Sequence, residues 1–352
     1  MIIIGVDPHK HTHTAIAIDG GTGECLAELT VKARREGHER LLTWARALAG
    51  ELLFALEDVR RCSGALERFL VLRGEESVRV PPKLMGASRK GQRTRGKSDA
   101  IDALAVARAA LTEPDLPRAT LVGPSHEIAL LSQHRDDLIR ERNQVGNRLR
   151  WHIHDLDPDR QPPPKTLRRR VWIDRVSRYL ASREQSTQVR VARSLVRRIA
   201  ALNREIRALE EELGELVARE APKLLTLFGC GPISAAWILA EVAGVERFGS
   251  EAKLAMAAGV APIQASSGTV QRHRLNRYGN RRLNRAIHYV ALTQGRHSPE
   301  GRAYLAKKKA EGKSPKEALR CLKRHLVRRI YRLLLEDARQ AAARPSARVL
   351  AS

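Results

Sequence analysis

A repeating pattern of apolar residues in the middle of the chain limits the fold more than any other feature. From residue 195 to 216, apolar side chains recur at alternating spacings of four and three residues. This spacing forms the seam of a coiled coil, so it predicts one long helix whose apolar stripe packs on a partner helix. The seam consists of Leu195, Ile199, Leu202, Ile206, Leu209, Leu213 and Leu216.

A looser version of the pattern comes earlier, at Leu131, Leu138, Val145 and Leu149. The run of prolines at 162–164 separates the two stretches and cannot be helical. We therefore predict two long antiparallel helices, a central antiparallel coiled coil over residues 118–220 that serves as a linker or an oligomerisation region. The seam can pair within one chain or between subunits, and the sequence pattern is compatible with both.

The first 117 residues alternate between strand and helix patterns. Strands are predicted at 2–6, 12–18, 25–31, 51–56 and 78–80, and helices at 38–48 and 62–73. Ser98 is placed to cap a further helix that runs to Ala110. This order is typical of an α/β domain in which helices flank a mixed sheet.

The region 221–342 is predicted to be a third, mostly helical domain, and the tail 343–352 is predicted to be disordered. Before one apolar helix stands Gly229-Cys230-Gly231-Pro232, which resembles the turn of a helix-hairpin-helix element. Glycines let a phosphate approach the free N–H groups of a helix start, so Gly229 and Gly231 are candidate nucleic-acid contacts. A plain turn explains the same residues about equally well.

The charge balance defines the kind of partner. The chain carries 64 Lys and Arg against 39 Asp and Glu, a net charge of +25, which predicts a polyanion and disfavours an ordinary metabolic enzyme. No apolar run is long enough to span a membrane, no signal peptide is recognisable, and the four scattered cysteines fit a reducing cytoplasm. Nucleic acid is therefore the expected partner. An aromatic content of 4% disfavours binding by base stacking.

Four acids follow the predicted elements in an order that suggests a metal site. Asp7 ends the first strand, Glu57 ends the fourth, and Asp99 and Asp102 lie three residues apart on one helix. Carboxylates are the ligands that Mg²⁺ prefers, and a metal pair can polarise a phosphodiester. Any one of these acids is more often a capping or solvated residue, but the set favours Mg²⁺. Asp58 is the rival ligand, and strand alternation sends it to the opposite face.

Other residues invite chemistry less strongly. The triplet His9, His11 and His13 suggests zinc, but a turn and an exposed strand face are the better interpretation. The loop before Asp99 is predicted to contact phosphate through Arg89, Lys90, Arg93, Arg95 and Lys97. A serine pair before Gly268 is followed by candidate nucleic-acid contacts at Arg272, Arg274, Arg277, Arg281 and Arg282. Serine before glycine is usually a turn, although a hydroxyl among guanidiniums can attack a phosphate.

Together these motifs resemble the one-ten family of insertion-sequence transposases, the DEDD transposases related to the Piv invertase. The resemblance rests on Gly5-Val6-Asp7-Pro8-His9-Lys10, Ala55-Leu56-Glu57, and the run 97–104 with Asp99 and Asp102. In the C-terminal part it rests on the runs 229–236, 257–262, Ser267-Gly268 and 279–283, in the family's order.

The resemblance implies a RuvC-like N-terminal domain of RNase H fold that binds Mg²⁺ through Asp7, Glu57, Asp99 and Asp102. It also implies a C-terminal transposase domain whose nucleophile is Ser267, with Ser266 as the neighbouring alternative, and which forms a transient phosphoserine link to DNA. A structured bridge RNA would pair with donor and target DNA, and a dimer or tetramer would form the composite site. Two alternatives stay open: a metal-dependent nuclease or junction resolvase that hydrolyses DNA, and a non-catalytic nucleic-acid-binding scaffold.

Overall fold

The structure is a computed structural model of the chain, and it describes residues 1–58, 60–80, 84–85, 98–113, 116, 118, 124–264, 273–274, 276 and 279–343. The chain forms two compact units, 1–123 and 124–352. The tail that was predicted to be disordered lies outside the described residues except for Ala343, which ends the last helix.

The N-terminal unit is a mixed sheet with helices, as the strand and helix patterns predicted. Its elements are β1 (Ile2–Pro8), β2 (Thr12–Asp19), β3 (Cys25–Lys32), α1 (Arg35–Arg46), β4 (Leu52–Glu57), α2 (Arg60–Leu72), β5 (Ser77–Val80) and α3 (Asp99–Thr112). The strand order is β3-β2-β1-β4-β5. The first three strands pair antiparallel, whereas β4 runs parallel to β1 and β5 runs parallel to β4.

Alternation along the strands gives the sheet two buried faces. One face, with Ile4 and Val6, packs against residues of α1 and α2. The other face, with Ile3 and Ala55, packs against α3. The buried residues of α3 are five alanines and one valine, so its backbone approaches the sheet closely. A Cβ built on Gly5 of β1 would lie 2.3 Å from the carbonyl oxygen of Ala103, so only glycine fits there.

The C-terminal unit is mostly helical, as predicted. Its helices are α4 (Pro124–Leu156), α5 (Arg170–Ala181), α6 (Thr187–Glu220), α7 (Pro222–Leu225), α8 (Pro232–Val242), α9 (Glu251–Ala257), α10 (Arg281–His297), α11 (Pro299–Ala310) and α12 (Pro315–Ala343). Short 3₁₀ turns occur at Pro158–Arg160, Thr166–Arg168 and Val245–Arg247, and β6 (Ile263–Gln264) pairs antiparallel with β7 (His273–Arg274). None of the helices in the described ranges is long and apolar enough to cross a membrane.

The two long helices α4 and α6 pack on each other within one chain. Arg135 of α4 pairs with Glu210 of α6, whereas Glu141 further along α4 pairs with Arg198 earlier on α6, so the helices run antiparallel. Six of the seven seam residues are buried, and Leu195 packs beside them. Coiled-coil geometry for this pair stays a prediction.

The end of this helix pair at which α4 begins and α6 ends is part of the C-terminal core. Ile128 of α4 and Leu213 of α6 share one apolar cluster with residues of α8, α10 and α12. Asp337 of α12 ties this core together, because its carboxylate accepts hydrogen bonds from the backbone N–H groups of Lys223 (2.9 Å) and Leu224 (3.1 Å) at the start of α7. Residues 124–352 therefore form one compact unit, in which this end of the helix pair joins the C-terminal apolar cluster and the rest of the pair has a second cluster of its own.

Candidate metal centre and nucleic-acid surfaces

Four acids meet at the carboxyl ends of two parallel strands. Val6 and Leu56 are partners in the register of the neighbouring strands β1 and β4. Asp7 and Glu57 follow directly after these partners, so they lie side by side at the carboxyl ends of the two strands. Asp99 and Asp102 lie in the first turn of α3, which packs over this face. Ser98 starts the helix, since its Oγ accepts a hydrogen bond from the N–H of Ile101 at 3.3 Å.

Asp7 interacts with each of the other three acids. Burial, the largest cause, raises the pKa of Asp7, and the charges of Asp102 and Asp99 raise it further. The charge of His9 and a hydrogen bond with Glu57 act in the opposite direction. Concentrated negative charge of this kind is relieved when a cation binds between the carboxylates.

His9 also lies beside these acids, which its sequence pattern did not predict. Its Nε2 lies 3.2 Å from Oδ2 of Asp7 and 3.3 Å from Oδ1 of Asp99. Candidate ligand atoms of these three residues all lie within 4.8 Å of one another. The signal for His9 is its position two residues after Asp7. The other two histidines lie elsewhere: His11 is exposed, and His13 is buried with its Nε2 3.3 Å from Nε2 of His38.

The donor set fits a divalent cation. Oδ2 of Asp7 is buried and makes no hydrogen bond with any described residue. Its contact with Nε2 of His9 does not have the geometry of a hydrogen bond. Such an atom normally costs stability, and a metal ion would satisfy it. Asp58 belongs to the other face, because its charge acts on Arg79, whose guanidinium pairs with Glu67 of α2.

The predicted basic contacts divide into three groups. Arg274 and Arg281 are exposed and line a cavity in the C-terminal unit. Arg282 is half-buried and bridges three helices, since it donates to Oε1 of Gln133 (3.0 Å) and Oδ2 of Asp136 (3.4 Å) and lies 3.6 Å from Glu241. Outside the described residues lie Arg89, Lys90, Arg93, Arg95, Lys97, Ser266, Ser267, Arg272 and Arg277.

The segment that carries Ser267 is held together at its base. A Cβ on Gly279 would lie 2.1 Å from the backbone nitrogen of Gly259, so these two glycines bring both sides of the segment into backbone contact. The N–H of Asn280 donates to the carbonyl oxygen of Ala257 at 2.7 Å, and Nδ2 of Asn276 donates to that of Met256 at 3.2 Å. The described residues before and after this segment therefore contact each other beside α9.

Gly229 and Gly231 lie between α7 and α8. Gly229 has φ +80° and faces Thr293 of α10 at a distance that leaves little room for a Cβ, which accounts for glycine there on structural grounds. Gly231 precedes α8 and would meet nothing within 4 Å if it carried a Cβ. A helix-hairpin-helix element and phosphate binding at these glycines stay predictions.

Comparison with known proteins gives matches in both parts of the chain. Residues 4–158 match a family model of DEDD transposases of the IS110 type, and residues 221–306 match the family described as transposase IS116/IS110/IS902. The insertion element IS116 uncharacterized 44.8 kDa protein of Streptomyces clavuligerus is 27% identical, over 95% of this chain and 94% of that protein. The insertion element IS900 uncharacterized 42 kDa protein of Mycobacterium paratuberculosis is 25% identical, over 95% of this chain and 96% of that protein.

Among solved structures, Thermus thermophilus RuvC in complex with a Holliday junction substrate matches with 16% identity and a TM-score of 0.25. The match covers 31% of this chain and 91% of that one.

Proposed function

Because this chain belongs to the IS116/IS110/IS902 family of transposases, we propose that it excises and inserts an insertion-sequence element as a DNA recombinase. The observation that carries the proposal is the cluster of Asp7, Glu57, Asp99 and Asp102, a set of hard oxygen ligands in a domain that matches the DEDD family model. The strand order β3-β2-β1-β4-β5 supports a RuvC-like domain of RNase H type around this cluster.

The four acids would hold Mg²⁺, with His9 beside them. When bound, the cation would polarise a phosphodiester and stabilise the departing oxygen. The chain's own part is to place the ligands: Gly5 and the alanines of α3 let the helix that carries Asp99 and Asp102 approach the sheet that carries Asp7. This arrangement would bring carboxylates from β1, β4 and α3 close together before any ligand arrives.

Ser267 is the proposed nucleophile. Its hydroxyl oxygen would form a bond to a backbone phosphorus while the bond from that phosphorus to a deoxyribose oxygen breaks. The serine gives up its proton, and the departing sugar oxygen takes one. The phosphoserine link keeps the energy of the phosphodiester, so rejoining needs no nucleotide cofactor. Arg274 and Arg281, which are exposed and both follow the segment along the chain, are suited to stabilise charge on the phosphate.

Further features of the family belong to the same proposal. We infer that a structured RNA guides the protein to donor and target DNA, and that a homo-oligomer, a dimer or a tetramer, forms the composite site. In this scheme residues 1–117 provide the metal centre, 118–220 the coiled-coil linker and 221–342 the serine. The net charge of +25 supports binding of both DNA and RNA backbones.

A covalent trapping assay tests the proposal. Purified protein, RNA from the flanking element, Mg²⁺ and labelled donor DNA are mixed, denatured and separated on a gel. We expect a protein–DNA adduct that disappears in Ser267→Ala and in Asp102→Ala. The matched controls are Ser266→Ala, the neighbouring hydroxyl, and Asp58→Asn, an acid on the other face of the sheet, and both should retain the adduct.

Free cleaved DNA without an adduct, unaffected by Ser267→Ala, would contradict the serine mechanism. It would instead identify a metal-dependent nuclease or junction resolvase that acts by hydrolysis. Loss of the adduct in Ser266→Ala but not in Ser267→Ala would move the nucleophile by one residue and leave the rest of the proposal intact.

A further inference from the structure

Almost all the charged residues that line a large cavity in the C-terminal unit are cations. The cavity has a volume of about 930 Å³ and lies between α10, α11, α12 and the turn around Gly259. Ten of its described lining residues are Lys or Arg, and one, Glu317, is acidic. That acid is already engaged, because its carboxylate accepts hydrogen bonds from Oγ and N of Ser314 at 2.6 and 2.9 Å.

Lys323 is the unusual member of this lining. It is only 9% exposed, and its Nζ donates to Oδ1 of Asn284 at 2.5 Å. Asn284 is neutral, and no carboxylate in the described part of the chain lies within ion-pair distance of Lys323. Buried lysines are nearly always paired with a negative charge. Within the described residues Lys323 therefore has no countercharge, which leaves it suited to bind an anion.

The other cations of the cavity fall into two groups. Arg324 and Arg328 share Glu251, Arg285 pairs with Asp136, and Lys308 pairs with Glu311. The second group makes no ion pair with any described residue and comprises Arg274, Arg281, Lys313, Lys316 and Arg320. The cavity thus keeps a net positive charge after its internal pairs are formed.

Burial is the main cause of the lowered pKa values in the cavity, and neighbouring cations add to it. Burial first, and then the charge of Arg320, lowers the pKa of Lys323 to about 8. Burial and the charge of Lys323 lower the pKa of His288. Burial lowers the pKa of His325, and the charges of Arg329, Arg328 and Arg332 lower it further. An anion bound here would relieve this repulsion.

Asn284 connects Lys323 to the base of the Ser267 segment. While its Oδ1 accepts from Lys323, its Nδ2 donates to the carbonyl oxygens of Ala258 (2.8 Å) and Gly259 (3.3 Å). Gly259 is the residue whose backbone abuts Gly279. The buried ammonium is thereby linked through Asn284 to the backbone of Ala258 and Gly259, which precede that segment.

We propose that this cavity binds a phosphate group of a DNA backbone, and that Lys323, oriented by Asn284, is the buried cation that contacts it. The size of the cavity suits a short stretch of backbone better than a single small ion. The stretch 251–352 around the cavity carries 23 Lys and Arg against 6 Asp and Glu, which favours a polyanion. The identity of the anion as DNA rests on the proposed function, whereas the site itself requires neither the metal centre nor Ser267.

The test is DNA binding of the full chain in EDTA, measured by fluorescence anisotropy over a series of salt concentrations. We expect Lys323→Met to weaken binding at least tenfold and to reduce the slope of log affinity against log salt by about 1, the value for one lost phosphate contact. The control is Lys307→Met, which removes an exposed lysine of α11 that does not line the cavity. It should change affinity less than twofold.

Thermal unfolding of the same variants separates binding from packing. Methionine keeps most of the apolar volume of lysine and removes a buried, unpaired charge, so Lys323→Met should unfold at the wild-type temperature or higher. Unchanged DNA affinity together with a lower unfolding temperature would overturn the proposal, because Lys323 would then be a structural residue.

A proton-uptake measurement identifies the contacting group. The anion added in this measurement is sulfate, which neither gains nor loses protons near pH 8. Calorimetric titration in buffers of different ionisation heat at this pH therefore reports the protons taken up by the protein. Since the pKa of Lys323 is about 8, the wild type should take up about half a proton as the anion binds, and Lys323→Met should take up none. Equal uptake by both proteins would overturn the assignment.

Inorganic triphosphate distinguishes DNA from a free polyphosphate. If triphosphate binding depends on Lys323 while DNA affinity does not, the cavity serves a small anion and the DNA assignment is wrong. A missing adduct in the trapping assay combined with Lys323-dependent DNA binding would refute the recombinase mechanism and leave this site standing.

Discussion

Replacing Gly5 by alanine tests whether the close approach of α3 to the sheet creates the metal centre. The new Cβ would lie 2.3 Å from the carbonyl oxygen of Ala103, 2.5 Å from the backbone nitrogen of Ala107 and 2.6 Å from its Cβ. Ordinary contacts between such atoms begin at about 3.5 Å, so α3 has to retreat by about 1 Å. Its first turn carries Asp99 and Asp102, which must move away from Asp7 with it.

The expected cost has two parts. Overpacking of a well-packed interior costs about 1–3 kcal/mol, and the contacts here are with backbone atoms that cannot rotate away, so we expect the upper end of this range. Ligand positions in a metal site must hold to within about 0.5 Å, so a shift of about 1 Å should weaken Mn²⁺ binding at least tenfold. Urea unfolding measures the first effect, and titration with Mn²⁺ followed by electron paramagnetic resonance measures the second.

The control is Gly64→Ala in α2 of the same unit. The nearest atom to its Cβ would be the Arg68 guanidinium at 3.6 Å, so the change meets no clash. Alanine is favoured over glycine within a helix by about 1 kcal/mol, so Gly64→Ala should stabilise the protein and leave Mn²⁺ binding unchanged. If Gly5→Ala has wild-type stability and wild-type Mn²⁺ affinity, the close approach of α3 does not position the acids and the reasoning fails.

Three further predictions follow from individual contacts. Burial and the charge of His38 lower the pKa of His13 to about 4 in the folded protein, below the unfolded value of about 6.5. The contribution of neutral His13 to the free energy of unfolding is therefore complete above pH 6.5. It falls by about 3 kcal/mol as the pH drops from there through 4. Urea unfolding across this range should show that slope in the wild type, and the same slope in His13→Gln would contradict it. Arg282→Met should lower the unfolding temperature, because the guanidinium bridges Gln133 and Asp136. Arg281→Met should keep the wild-type unfolding temperature and weaken DNA binding, because Arg281 is exposed. Melting curves and anisotropy would contradict these two roles if Arg281→Met lowered the unfolding temperature and Arg282→Met only weakened binding. Asp337→Asn should lose about 1–2 kcal/mol of unfolding free energy, since one charged oxygen no longer accepts at the start of α7, while exposed Glu336→Gln should be neutral in the same urea assay.

Features encoded in local periodicity were predicted from the sequence. The strands β1 to β5 alternate or run apolar over a few residues, and the α6 seam repeats every three or four, so each element is visible without its neighbours. The ends shifted slightly: α1 was expected at 38–48 and occupies Arg35–Arg46, a difference typical of frayed helix ends. The clustering of four acids followed from placing Asp7 and Glu57 at strand ends, which is again local information.

Features decided by distant residues could not be predicted. Arg281 and Arg282 are adjacent in a basic run, yet Gln133 and Asp136, nearly 150 residues earlier, withdraw Arg282 into a network. Lys323 stands in another basic run, and its burial depends on Asn284 of a different helix. A run of cations on a helix predicts a solvated face. Only the packing of α10 on α12 shows that Lys323 is the cation of this run that is buried.

The distribution of charge suggests how the two units share the task. Residues 1–123 contain 19 Lys and Arg against 16 Asp and Glu, whereas residues 124–352 contain 45 against 23, so the C-terminal unit carries +22 of the net +25. The cluster around Asp7 is the one place where carboxylates concentrate in the candidate sites, and carboxylates repel a phosphodiester. We therefore expect the cations of residues 124–352 to supply most of the electrostatic attraction for DNA, since the acidic centre attracts a phosphate only when a divalent cation is bound there. The buried charge of Lys323 and the buried carboxylate of Asp7 are each costly in the free protein, and in our proposal a DNA phosphate would satisfy the first and a metal ion the second.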